Sequence, residues 1–301
     1  MNKTTFRLAA IFITLPLTCN GQSVRPRIKG ITQVRLLVTD ADRSRDFYSG
    51  ILKIGPGLNR CPKSERLCFS LSEDQQIELE QAGTPNDPSL LVEVAFETDN
   101  AAQLRSYLES KGAAPGQLSR LSEGSQSFTL RDPEGHHIVF VHYPSSDNSM
   151  TTLNQISTHM IHTGFVVHDR AAEDKLYKDI LGFRVYWHGG MKDGEDNWVD
   201  MQVPDGTDWI EYMLKVPDNA THKQLGVMNH IALGVPDIHA AQAQLIKNGW
   251  KGTEEPKIGR DGKWQLNLYD PDETRVELME FKPTKEPCCS PYTGPHPGPP
   301  Q

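Results

Sequence analysis

The feature that most constrains the fold is an internal repeat. The segment VRLLVTDADRSRDFYSGILKI, from Val34, resembles TGFVVHDRAAEDKLYKDILGFRVYW, from Thr163. Each reads as a short apolar strand, an Asp (Asp40, Asp169), and a helix ending in aromatic residues and Ile-Leu. A second segment type also occurs twice, LLVEVAFETDNAAQLRSYLESKG and MNHIALGVPDIHAAQAQLIKNGW, with Asp99 and Asp237 as expected helix starts. Each is followed 33 residues later by a strand-opening Asp, Asp132 and Asp270. Such periodicity means that one supersecondary unit is built several times. Four units result, at about 31–82, 89–143, 158–215 and 226–282. Each reads as strand, helix, then two or three strands. Ala171, Leu176, Tyr177, Ile180 and Leu181 form the expected apolar face of the third helix. The class is α+β, with the units paired into two domains, residues 29–145 and 158–283, around a polar linker at 146–157.

On these residues the chain resembles the vicinal oxygen chelate superfamily, which includes glyoxalase I, methylmalonyl-CoA epimerase, fosfomycin-modifying enzymes, bleomycin-binding proteins and extradiol dioxygenases. The resemblance spans residues 31 to 282. It implies two tandem domains, each of two βαβββ units whose mixed sheets form a cup around a metal ion.

The ends read differently. Residues 1–21 hold Lys3 and Arg7, the apolar run LAAIFITLPL and the small, polar TCNGQ, the three-part layout of a secretory signal. That predicts an exported protein, periplasmic or secreted, with no transmembrane segment after signal removal. Lipid attachment at Cys19 is the weaker alternative, because Pro16 and Thr18 fit a lipidation box poorly. Export permits disulfides, so Cys61 and Cys68, which flank the turn-like PKSERL, are either a local bridge or two free thiols. Residues 284–301, with six prolines and adjacent Cys288 and Cys289, read as an extended, disordered tail. The net charge of −8, without a Lys/Arg block, argues against nucleic acid. The expected partner is a small-molecule substrate, with a homodimer left open.

The resemblance also implies where ligands should lie: on the first strand and on a late strand of each unit. Seven residues before Asp169 and Asp237 stand His162 and His230; seven after Asp270 stands Glu277; the strand WIEYMLKV supplies Glu211. Two imidazoles with one or two carboxylates suit a divalent Zn, Ni, Fe or Mn ion with positions left open for substrate oxygens. Strand parity puts His162 with Gly164 and Val166, and His230 with Ala232 and Gly234, so small residues neighbour each His. His159, His168, His188 and His239 match no ligand position. In the first domain the same counting yields Gln33, Glu78, Val92 and Val139, a degenerate site expected to bind no metal. All five Trp lie in the second domain, and Trp209 shares parity with Glu211 as a candidate pocket residue.

The implied chemistry is lyase or isomerase, with Glu211 or Glu277 removing an α-proton to form a metal-stabilised enediolate. An Fe(II) extradiol-type dioxygenase, with His162, His230 and Glu277 as its triad, is one alternative. The stretch before Glu277 lacks the family's catalytic His, with Trp264 in its region and Tyr269 beside the turn. A non-catalytic binder of the bleomycin-resistance kind is the other. With only Arg170, Arg184, Arg260 and Arg275 in the second domain, no glutathione carboxylate clamp is evident.

Overall fold

In a computed structural model, residues 1, 24–57, 66–81, 90–121, 124–144 and 152–300 are described. The expected signal beyond Met1, Cys19, Cys61 and residues 146–151 of the 146–157 linker lie outside them; Cys68 is disulfide-bonded. Among the described residues no helix is long and apolar enough to cross a membrane.

The first domain comprises β1 (Ile28–Val38), β2 (Gly55–Pro56), β3 (Arg66–Ser70), β4 (Gln76–Gln81), β5 (Leu91–Thr98), β6 (Ser119–Arg120), β7 (Gln126–Arg131) and β8 (His137–His142). They form one sheet in the order β2-β3-β4-β1-β5-β8-β7-β6. The second comprises β9 (His159–Val166), β10 (Arg184–Gly189), β11 (Trp198–Gln202), β12 (Trp209–Met213), β13 (His230–Val235), β14 (Lys257–Ile258), β15 (Trp264–Tyr269) and β16 (Arg275–Glu280). Its order, β10-β11-β12-β9-β13-β16-β15-β14, repeats the first. Each unit's first strand pairs in parallel with its last, and the two first strands of a domain pair antiparallel. A parallel pair needs a crossover, which the helix supplies. Both sheets have the cupped form of paired βαβββ units that the resemblance implies.

The crossover helices are α1 (Ala41–Arg45), α2 (Ala101–Ser110), α3 (Arg170–Asp174) and α5 (Ile238–Lys247); α4 (His222–Met228) precedes β13. Asp40, Asp169 and Asp237 cap their helices by accepting hydrogen bonds from first-turn amides, as expected. The second helix departs by one residue: Asn100 caps α2 through the Gln103 amide, while Asp99 ion-pairs with Lys29 at 3.0 Å. The third helix departs too. Ala171 is exposed, and Glu173 takes the buried place on its face.

Helices α1 and α3 each continue through a π-helical turn, Asp46–Ile51 and Lys175–Ile180. The turns aim Tyr48 at Asp270 and Tyr177 at Asp132, both at 3.1 Å, so the first helix of each domain docks on the second unit of the other. One apolar core therefore runs through both domains, with Phe96 edge-on to Phe183 at 5.6 Å.

The Pro-rich tail corrects the expectation of disorder: residues 284–300 are extended but tied down. The Thr284 amide donates to Gly262 and the Cys288 amide to Arg260, beside the β14–β15 hairpin; Ser290 and Thr293 then bond His188 and Tyr186 on β10. Because β10 and β14 are the two edges of the second sheet, the tail straps the open sides of its cup together. The adjacent Cys288 and Cys289 are joined by a disulfide within this strap.

Candidate metal centre and cavity

Four neighbouring strands, β12, β9, β13 and β16, carry the four expected ligands. In register, His162 lies opposite Ala232 and His230 opposite Gly164; Glu211 stands beside Gly164, and Glu277 beside Ala232. The small residues are therefore steric conditions for the two rings. A Cβ on Gly164 would lie 2.1 Å from Cε1 of His230. Gly234 makes room for Phe281 instead of a substrate.

The side chains converge. The Nε2 atoms of His162 and His230 are 3.1 Å apart. Glu211 lies 3.8 Å from His162 and 3.2 Å from His230, and Glu277 3.7 Å from each. The Nδ1 of His230 is 2.8 Å from the Met228 carbonyl, an arrangement in which Nδ1–H donates and the Nε2 lone pair faces the centre. His162 is buried with Nδ1 unpartnered, its ring 4.8 Å from that of Trp209.

Burial sets the protonation of the four groups. Burial first, then the neighbouring positive groups, hold both imidazoles well below their usual pKa, so they are neutral donors. Burial pushes Glu211 and Glu277 up to about 7, against the opposing pull of Arg275. Two desolvated carboxylates and two neutral imidazole nitrogens form a donor set that fits a divalent transition ion.

Three further groups were not singled out by sequence. Arg275, two residues before Glu277 on β16, places Nη2 2.6 Å from Nε2 of His230 and 3.9 Å from each carboxylate. Strand parity with Glu277 was the available signal. Asp200 on β11 stands directly across from Glu211. Lys263 is fully buried, its Nζ without a hydrogen-bond partner, 4.5 Å from the Trp209 ring centre and 5.4 Å from that of Tyr292 in the tail. A loop lysine offers no periodicity from which to foresee this.

Beside His162, Glu211 and Glu277 opens a cavity of about 350 Å³, walled by Trp187, Trp198 and Trp209 and edged by Lys257, Arg260 and Asp200. Trp209 thus lies where parity put it. The other histidines lie elsewhere: His159 pairs with Asp208, His168 with Glu134 and His188 with Asp196, and His239 packs on Trp264.

In the first domain, Gln33, Glu78 and Val139 occupy the positions equivalent to His162, Glu211 and Glu277. The one-residue shift at α2 corrects the fourth: Glu93, not Val92, corresponds to His230. Opposite Glu93, where the second cup has Gly164, stands Arg35, which ion-pairs with Glu93 and with Glu80 at 3.4 Å. Arg66 pairs with Glu78 at 3.2 Å.

The family model Glyoxalase/Bleomycin resistance protein/Dioxygenase superfamily matches residues 159–278. The match spans nearly the whole of the second domain, and the first domain repeats that domain's strand order. A probable chloroplastic lactoylglutathione lyase of Arabidopsis thaliana is 24% identical over 150 residues, which span 48% of this chain and 42% of that protein. Homoprotocatechuate 2,3-dioxygenase of Arthrobacter globiformis shares the fold at a TM-score of 0.63 and 18% identity, over 85% of this chain and 80% of that one. The Brevibacterium fuscum enzyme, complexed with 3,4-dihydroxyphenylacetate, does so at 0.64 and 17%, over 85% and 82%.

Proposed function

We propose that the protein is a metal-dependent enzyme whose second domain moves a proton next to a carbonyl of a small, oxygen-chelating substrate, a lyase or isomerase activity. The observation that carries this reading is the pair of buried carboxylates, both pushed to about 7, facing two neutral imidazoles at the edge of a cavity. His162, His230 and Glu277 would hold the ion. When bound, a divalent ion there supplies a Lewis acid that polarises the substrate's oxygen.

Glu211 takes the role of proton carrier. It is the more open carboxylate, 14% exposed at its side chain against 4% for Glu277. A pKa near neutrality lets it both accept and return a proton. Arg275 offers a guanidinium to negative charge developing on the substrate, and the Trp walls exclude water from it. Export, read from residues 1–21, would place the reaction away from the cytosol and therefore from most glutathione.

Ring cleavage by oxygen is the competing reading, favoured by the solved relatives' fold and by the unequal cups. Against it, the cavity wall contains no His other than His162 and no Tyr among the described residues. The deciding experiment incubates Zn-, Mn-, Ni- and Fe-loaded protein with methylglyoxal–thiol adducts and with catechols, following product and oxygen uptake. The proposal expects turnover of an α-hydroxycarbonyl-type substrate without oxygen, lost in Glu211→Gln. Catechol cleavage with oxygen uptake that survives Glu211→Gln would replace it by the dioxygenase reading. No bound metal in any preparation would leave the binder.

A further inference from the structure

Where α3 docks on the first domain, Asp132, His136 and Glu173 each present a possible ligand atom, all within 4.8 Å of one another. Asp132 is 5% exposed: Oδ1 accepts the His136 amide at 2.7 Å, and Oδ2 lies 3.1 Å from the Tyr177 hydroxyl and 2.8 Å from Nδ1 of His136. Glu173 is completely buried. Its Oε1 accepts the Glu134 amide at 2.9 Å, while Oε2 has no partner at all. The ring of His136 stacks on Phe165 at 4.6 Å, and its side chain is 22% exposed, which leaves an approach from solvent.

The internal repeat supplies the control. Glu173 lies four residues after Asp169, and His136 four after Asp132. The matching residues at the opposite interface, four after Asp40 and Asp270, are Ser44 and Thr274. There Tyr48 meets Asp270 as Tyr177 meets Asp132. The scaffold therefore needs the Tyr–Asp contact but neither the imidazole nor the second carboxylate. A fully buried carboxyl with one oxygen unpartnered must be neutralised, and its appearance at one interface only, beside an imidazole and a second carboxylate, is what a bound cation accounts for.

We propose that Asp132, His136 and Glu173 form a second divalent-cation site, separate from the cup, which joins the first domain's turn to helix α3 of the second. One imidazole and two carboxylates are an N/O donor set, suited to Zn(II) or Mn(II) rather than to a soft ion. The site has no adjoining substrate cavity among those described, which makes its role structural. Tyr177, donating to Asp132, orients that carboxylate as a supporting partner.

The test counts ions in the full chain after chelation and dialysis against Zn(II), by elemental analysis with thermal unfolding in parallel. His162→Ala/His230→Ala, which removes the cup's donors, should retain one ion and unfold at a higher temperature with Zn(II) than with chelator. Adding Glu173→Ser/His136→Thr, the pair the opposite interface already folds with, should remove both the ion and the rise. Glu173→Gln, which keeps the side chain's shape, should weaken binding at least tenfold in the same background. Retention of the ion through these substitutions would overturn the proposal. So would a His162→Ala/His230→Ala protein that folds and binds none.

Discussion

The two cups share one backbone and one strand order, yet they treat their carboxylates in opposite ways. In the first, Arg35 and Arg66 reach Glu93, Glu80 and Glu78, so the acids are neutralised by the protein's own guanidinium groups. In the second, the position of Arg35 is Gly164, and the space admits the His230 ring. One strand position thus decides whether a cup of this fold is filled from within or left open, while the residues at the other ligand positions decide whether the open cup carries donors for a cation. Arg275 shows the intermediate case. It enters from β16 and contacts His230, the counterpart of Glu93, while staying 3.9 Å from each carboxylate.

The largest break in this comparison is removal of a donor. His230→Ala should lower the cup's affinity for Zn(II) by more than about 100-fold, beyond the range of orienting residues. Competition against a chelator measures it, and a loss under tenfold would remove His230 from the ligand set. Next, Gly164→Ala leaves every donor in place but puts a Cβ 2.1 Å from the His230 ring. Affinity should fall by about 10–100-fold, as for other changes that misorient a ligand, with secondary structure unchanged. An unaltered affinity would mean the ring has freedom that this packing denies it.

The equality of the repeats was legible in the sequence because helix-starting Asp residues and strand parity follow from period alone. Counting from Asp169, Asp237 and Asp270 found His162, His230 and Glu277. The same count failed at Asp99, where Asn100 next to it is an equally good cap and won the position. That one-residue slip hid Glu93 behind Val92, and with it the ion pair that fills the first cup. Arg35 was invisible for another reason: a strand Arg reads as solvent-facing unless the acid opposite it is known. The tail misled through composition. Its prolines lack amide donors but bring no strain to an extended strap, and Tyr292, Thr293 and Ser290 supply its contacts.

A subtler distinction between the cups lies in pH. Glu211 and Glu277, each near 7, must shed protons to bind an ion, whereas His162 and His230 are already neutral. Zn(II) affinity should therefore fall as pH drops below 7, by up to about 100-fold per unit when both protons compete. Without an ion the signs oppose. The raised carboxyls keep protons in the fold that the unfolded chain has lost, so stability falls as pH rises from 4.5 to about 7. The depressed imidazoles reject protons that the unfolded chain holds, so stability rises toward 6.5. Below 6.5 the two largely cancel. Unfolding temperatures across pH 5–8 should then show little slope with chelator and a Zn(II) increment that grows to about pH 7. A constant increment would show that these carboxylates do not bind the ion.

The smallest effect tests the reverse of Gly164. Arg35→Met opens the first cup by removing the guanidinium between Glu93 and Glu80, whose side chains are 10% and 32% exposed. Partly exposed pairs are screened, so the cost should be about 1–2 kcal/mol, read as a lower midpoint in denaturant. Emptying this cup should not make it a metal site. Val139 offers no donor where Glu277 does, and Gln33 is already engaged by Gln76 at 2.6 Å. The number of ions bound should stay the same. If Arg35→Met gained one, the arginine would be the sole barrier between the two cups, and the donor differences at Gln33 and Val139 would be secondary.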